Sequence, residues 1–163
     1  MVKKPSYISL LNDLATGERE RGEQFKHWAA ATPDKKLKPT LDMVSIRETE
    51  HSWALEKRLW ELGYSVEPAK PDKALIKLMK SNASDEEKFV AIGFGGYGEQ
   101  QLDEANAQML QWLFGDKNMD LKTSEFMGRF FWEERDTATR LLEAYKAQQR
   151  RGSPPLRKTR KKR

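Results

Sequence analysis

Residues 39–62 read PTLDMVSIRETEHSWALEKRLWEL, followed by Gly63. Leu41, Val44, Glu48, His51, Leu55, Leu59 and Leu62 recur at steps of three and four, the spacing of one face of an α-helix. Pro39 suits a first helical turn and Gly63 a helix end, so the stretch predicts one helix over 39–62. Five of these seven face positions are aliphatic, and the two in the middle are a carboxylate and an imidazole. Buried ionisable groups are costly unless paired or bound to a metal. Glu48-x-x-His51 sets both side chains one turn apart on the same face, where they can share a metal ion.

Working outward, the signals stay helical. Ser6 is a candidate cap for a first helix over 6–31, stopped by Thr32-Pro33. The short linker over 32–38 forces an antiparallel pair with the second helix. A long crossover from Gly63 to Gly98 carries Pro68, Pro71, a short apolar-periodic stretch at Ala74, Leu75, Leu78 and Met79, and the capping box Ser84…Glu87. Further helices are predicted over 99–114, ended by Gly115, and over 120–149. No useful period-2 alternation occurs. The fold class is therefore all-α: four main helices in two antiparallel hairpins, joined by a crossover containing short helices.

Other stripes repeat the polar interruption. The first helix presents Tyr7, Leu11, Leu14, Glu18, Gly22, Phe25 and Ala29; the last presents Met127, Phe130, Glu134, Thr137, Leu141 and Ala144. Superposing the last helix on the second puts Glu134 on Glu48 and Leu141 on Leu55, with Thr137 where His51 sits. Measured from the helix ends at about 1.5 Å per residue, Glu18 and Glu48 agree in level within about two turns. On the third helix the stripe Glu99, Leu102, Asn106, Met109, Leu113 favours Glu99 as the matching carboxylate, with Asp103 as the alternative.

Gly17-Glu18, Glu48-Thr49-Glu50-His51, Gly98-Glu99 and Glu134 together resemble the rubrerythrin-type branch of the ferritin-like superfamily, over roughly residues 6–149. The resemblance implies a four-helix bundle around a carboxylate-bridged di-iron or di-manganese site, with Glu18, Glu48, His51, Glu99 and Glu134 as ligands. The pattern departs from the family at Thr137, which stands where a second histidine is expected, and at Leu102, where rubrerythrins carry a further carboxylate. The chain has no cysteine, so the rubredoxin module of true rubrerythrins has no counterpart here.

Composition sets the outer bounds. A chain of 163 residues is the size of one domain. The absence of cysteine excludes disulfides, thiolate metal sites and cysteine nucleophiles, so a metal would rest on oxygen and imidazole ligands. There is no apolar run of membrane-spanning length and no apolar segment behind the N-terminus, which makes a cytoplasmic protein with no membrane partner the expectation. Eight basic and no acidic residues fall from Arg150 to Arg163, which leaves 22 basic against 25 acidic residues, net −3, over 1–149. The domain is thus expected over 1–149 and a basic, disordered tail over 150–163, read first as a solvated terminal tail that aids solubility, with nucleic acid as the alternative ligand.

Residues 93–98 match G-x-G-x-x-G, and Phe89–Ile92 before them is a candidate strand. No second strand follows Phe114, so the glycines are read instead as a bend or a close helix contact rather than a nucleotide site. Trp28, Trp53, Trp60, Trp112, Phe130 and Phe131 recur at helical spacing and are read as core or homodimer-surface residues. Two functions follow. One is a non-haem iron or manganese protein that reacts with peroxide or dioxygen. The other is a metal-free bundle acting as a binding or scaffolding module, its stripe carboxylates paired with Arg21, Arg47 or Arg135.

Overall fold

A computed structural model describes residues 5–152, and among these residues every regular element is helical. In chain order they are α1 (Tyr7–Ala31), α2 (Lys38–Glu61), α3 (Lys73–Lys80), α4 (Asp85–Phe89) continued by a π-helical turn (Val90–Phe94), α5 (Glu99–Phe114) and α6 (Leu121–Gly152). The all-α expectation holds. Two local expectations are corrected. Ser6 does not cap α1 with its side chain; its hydroxyl donates to Asp116 instead. Phe89–Ile92 is no strand: Ser84 Oγ accepts from Glu87 N–H at 3.2 Å and Glu87 Oε2 accepts from Ser84 N–H at 2.8 Å, which starts a helix through this segment. Gly93 kinks the π-helical turn with a φ of +99°, a conformation glycine adopts without steric cost.

α1 and α2 run antiparallel. Ser52 Oγ donates to Ala15 C=O at 2.9 Å, Ser45 Oγ to Gly22 C=O at 2.9 Å, and Arg19 pairs with Glu56. Gly22 makes this approach possible, because a Cβ there would lie 2.6 Å from Thr49 Oγ1 and 3.3 Å from Thr49 N. Gly22→Ala should therefore lower stability by about 1–2 kcal/mol even though alanine is the better helix former, because overpacking outweighs propensity at a contact this tight. Chemical denaturation measures it; an unchanged midpoint would show that the Thr49 hydroxyl gives way to the added methyl group at no cost.

α6 runs antiparallel to α2. Arg58 Nη2 donates to Asp120 at 2.8 Å at one end, and at the other Gln148 and Arg151 reach Asp34 in the α1–α2 connection. α6 continues to Gly152, so Arg150 and Arg151 form its last turn rather than the start of a tail; residues 153–163 lie outside the described residues. α5 lies antiparallel to α6, with Glu99 meeting Lys146 at 2.9 Å. α3 rests on the outside of α1, and α4 is tied down where Asp85 accepts from Trp28 Nε1 at 2.6 Å and Thr32 Oγ1 at 2.8 Å.

The apolar core falls into two halves. Tyr7, Leu11, Leu55, Leu59, Met127 and Phe130 belong to one; Phe25, Trp28, Leu41, Val44, Phe89 and Leu141 belong to the other. Between them along α1, α2 and α6 lie Glu18, Glu48, His51 and Glu134. The interruptions visible in the stripes are a polar layer across the middle of the fold.

Candidate metal centre

Glu18, Glu48 and His51 are 0%, 1% and 5% exposed, because the flanking aliphatic positions of their stripes bury those faces. Glu134 enters from α6 with its side chain 12% exposed. One ligand atom each from Glu18, His51 and Glu134 lies within 4.8 Å of the others. His51 Nδ1 is 3.1 Å from Glu134 Oε1 and 3.7 Å from Glu18 Oε2. Ligand atoms sharing a first-row ion at about 2.1 Å stand about 3–3.5 Å apart, so the first distance fits, the second is longer by a few tenths of an ångström, and the spread of up to 4.8 Å across the three requires the carboxylates to close in when an ion binds. Glu18 Oε2 is buried and has no hydrogen-bond partner among the described residues. A buried carboxylate oxygen without a hydrogen-bond donor is costly even with a charged imidazole 3.7 Å away, and such orphans call for a missing partner.

Two further side chains shape the cluster. Arg21 lies between Glu18 and Glu48: Nη2 donates to Glu18 Oε1, and Nε donates to Glu48 Oε2 at 2.9 Å. Glu133 Oε2 takes the other imidazole nitrogen, Nε2, at 2.7 Å, while its second oxygen, Oε1, accepts from Arg129 Nε at 2.9 Å. Both ring nitrogens of His51 thus face carboxylates. Burial pushes the His51 pKa down, but the hydrogen bonds to Glu134 and Glu133 outweigh it and hold the value above that of an ordinary histidine. Burial likewise opposes the Glu133 charge, yet His51 and Arg129 keep its carboxyl below the usual carboxylate range. The Phe130 ring packs on the imidazole at a centroid distance of 4.8 Å. A groove of about 450 Å³ between α2 and α6, walled by Trp53, Phe126 and Phe130, reaches His51 and Glu133 from outside.

Of the five ligand positions expected from the sequence, Glu18, His51 and Glu134 come together. Glu48 reaches the polar layer but is held by Arg21. Glu99 does not join: its side chain is 85% exposed at the first turn of α5 and bonds Lys146. The alternative, Asp103, is also exposed. With Glu99 opposite Lys146, and Asn106 and Leu110 sharing a groove with Phe131 and Arg135, the level of Glu134 on α5 falls near Ala107–Gln111, where no carboxylate occurs. Thr137, at the expected second-histidine position, accepts from Arg47 Nη1 at 3.0 Å, and the same nitrogen pairs with Asp136 at 2.9 Å. Arg135 stacks over the Trp132 ring instead of joining the layer.

The raised His51 pKa has a definite sign for stability. A histidine whose folded pKa exceeds its unfolded one contributes stability that is full below about pH 6.5 and is lost as pH rises through the folded value. The melting temperature of the metal-free protein should therefore decline as pH is raised from about 6 through that value, and His51→Gln should flatten the decline. Scanning calorimetry across this window measures it; identical profiles for the two proteins would show that the imidazole is not held protonated by its neighbours.

Compared with family models, curated proteins and solved structures, the chain matches none. Among the described residues, no helix is long and apolar enough to cross a membrane.

Proposed function

We propose that the chain is a ferritin-like helical bundle that binds one divalent first-row metal, iron or manganese, between Glu18, His51 and Glu134. The observation that carries this reading is the orphaned Glu18 Oε2, buried and turned toward His51 Nδ1 in a cluster where carboxylates outnumber cations. One imidazole with carboxylate oxygens is a donor set that suits these ions. The fit is to one metal rather than two. Arg21 already holds Glu48 and the second oxygen of Glu18, and a guanidinium bridging two carboxylates supplies the positive charge that a second ion would bring.

When bound, such a metal supplies redox and Lewis-acid chemistry toward peroxide or dioxygen. The chain's own residues set the conditions for it. Glu133 accepts from His51 Nε2 and orients the ring so that Nδ1 points at Glu18 and Glu134, the outer carboxylate that metal-binding histidines commonly have. Phe130 covers one face of the imidazole against water. Nδ1 must shed its proton before it can ligate, so affinity should strengthen as pH rises through the raised His51 value.

Arg21 also favours the second reading, a metal-free bundle whose polar layer is held by internal ion pairs. Anaerobic titration with Mn(II), followed by electron paramagnetic resonance and elemental analysis, separates the two. One equivalent per chain, lost in Glu18→Gln, is the expected result. No bound metal supports the metal-free bundle, and two equivalents would contradict the single-ion assignment.

A further inference from the structure

α2 has a face that the fold does not use. Ile46, Trp53 and Trp60, at steps of seven, are 61%, 66% and 64% exposed. α1 holds one side of the helix through Ser45, Ser52 and Glu56, and α6 holds another through Arg47, His51 and Arg58. A step of seven on a helix of about 3.6 residues per turn returns to nearly the same direction, so the three side chains form one line on the outer side of α2, where Trp53 also borders the α2–α6 groove. Glu50 and Lys57, both exposed, lie on one flank of that line.

The line is self-complementary about Trp53. Ile46 and Trp60 lie seven residues to either side of it. Glu50 lies three before and Lys57 four after, so reversal of the helix direction exchanges an acidic with a basic group at nearly the same level. On the opposite flank the corresponding positions are Thr49 and Glu56, so no like charges oppose. A two-fold interface demands this pattern, in which the same patch must fit itself; a foreign partner would not.

We propose that this face binds a second copy of the chain. The two α2 helices pack antiparallel about a two-fold axis at Trp53, so that Trp53 meets the partner's Trp53, Ile46 meets the partner's Trp60, and Glu50 pairs with the partner's Lys57. Large aromatic side chains at the centre of such a seam dominate its binding energy, and the flanking charges select the antiparallel register. The inference does not depend on the metal reading, since none of these five residues belongs to the cluster of Glu18, His51 and Glu134.

Sedimentation equilibrium on the full chain tests it. The wild type should be a dimer, and Trp53→Glu should weaken association by ~100-fold or more by removing the central aromatic pair and opposing two charges. Glu50→Lys and Lys57→Glu should each weaken it about tenfold, and the double exchange Glu50→Lys/Lys57→Glu should restore most of the loss. Because the chain has no cysteine, Trp53→Cys treated with a short bis-maleimide should give one covalent dimer. Ile46→Cys alone should give little, and Ile46→Cys/Trp60→Cys should crosslink. A wild type that stays monomeric at about 100 μM would overturn the proposal. So would a dimer indifferent to Trp53→Glu, or a double exchange no tighter than either single one.

Discussion

Arg21→Ala should destabilise the metal-free protein by about 2–4 kcal/mol, a fall of roughly 5–15 °C in melting temperature for a chain of this size. Arg21 is the donor to Glu18 Oε1 and to Glu48 Oε2, and those carboxylates are 0% and 1% exposed. Removing the guanidinium leaves two buried negative charges beside Glu134 with His51 as the remaining cation. The expected cost lies below the full penalty for breaking a buried pair because the Arg21 side chain is itself 43% exposed and partly solvated. Added Mn(II) or Fe(II) should recover much of the loss, since the vacated position between Glu18 and Glu48 is one a cation can fill. Thermal denaturation with and without metal measures both effects. A variant as stable as the wild type without metal would mean that the polar layer is neutralised by protonation rather than by Arg21.

His51→Ala should abolish the stabilisation that metal gives the wild type. A ligand present at 100 times its dissociation constant adds about 2.7 kcal/mol to a protein that binds it only when folded, which is roughly 5–10 °C here. His51 offers the one nitrogen of the cluster, and without it Glu18 and Glu134 lose the group that stands between them. The metal-free variant should also be less stable, because Glu133 and Glu134 both lose a donor. Glu143→Ala, at an exposed position of α6, should leave the metal-dependent gain intact. A gain that survives His51→Ala would move the binding site elsewhere on the chain.

Much of this arrangement is legible in the sequence, for a physical reason. Apolar residues at steps of three and four define the buried faces of α1, α2 and α6, and a charged group inside such a face must be solvated by other protein groups or by an ion. Glu18, Glu48, His51 and Glu134 stand out on that ground alone. α5 resists the same treatment. Glu99 keeps phase with the stripe but sits at the helix N-terminus, beyond the buried positions Leu102, Asn106 and Leu113. The short Gly115–Asp120 connection does not fix how far α5 slides along α6. Its observed register sets Glu99 against Lys146, twelve residues from Glu134 and about 18 Å along the helix. Glu133 is hidden for a different reason. It lies off the stripe by one residue, and its long side chain reaches back to His51 from the flank. Arg21 does the same on α1, reaching across from beside the stripe, so periodicity marks it only as a nearby cation.

The most direct test of the single-metal account is anomalous diffraction at the manganese or iron edge from crystals of metal-loaded protein. The account predicts one peak, bounded by Glu18, His51 and Glu134, with Arg21 still bridging Glu18 and Glu48. A second peak at the Arg21 position would contradict it, as would no peak within reach of His51 Nδ1 in protein carrying one equivalent of metal.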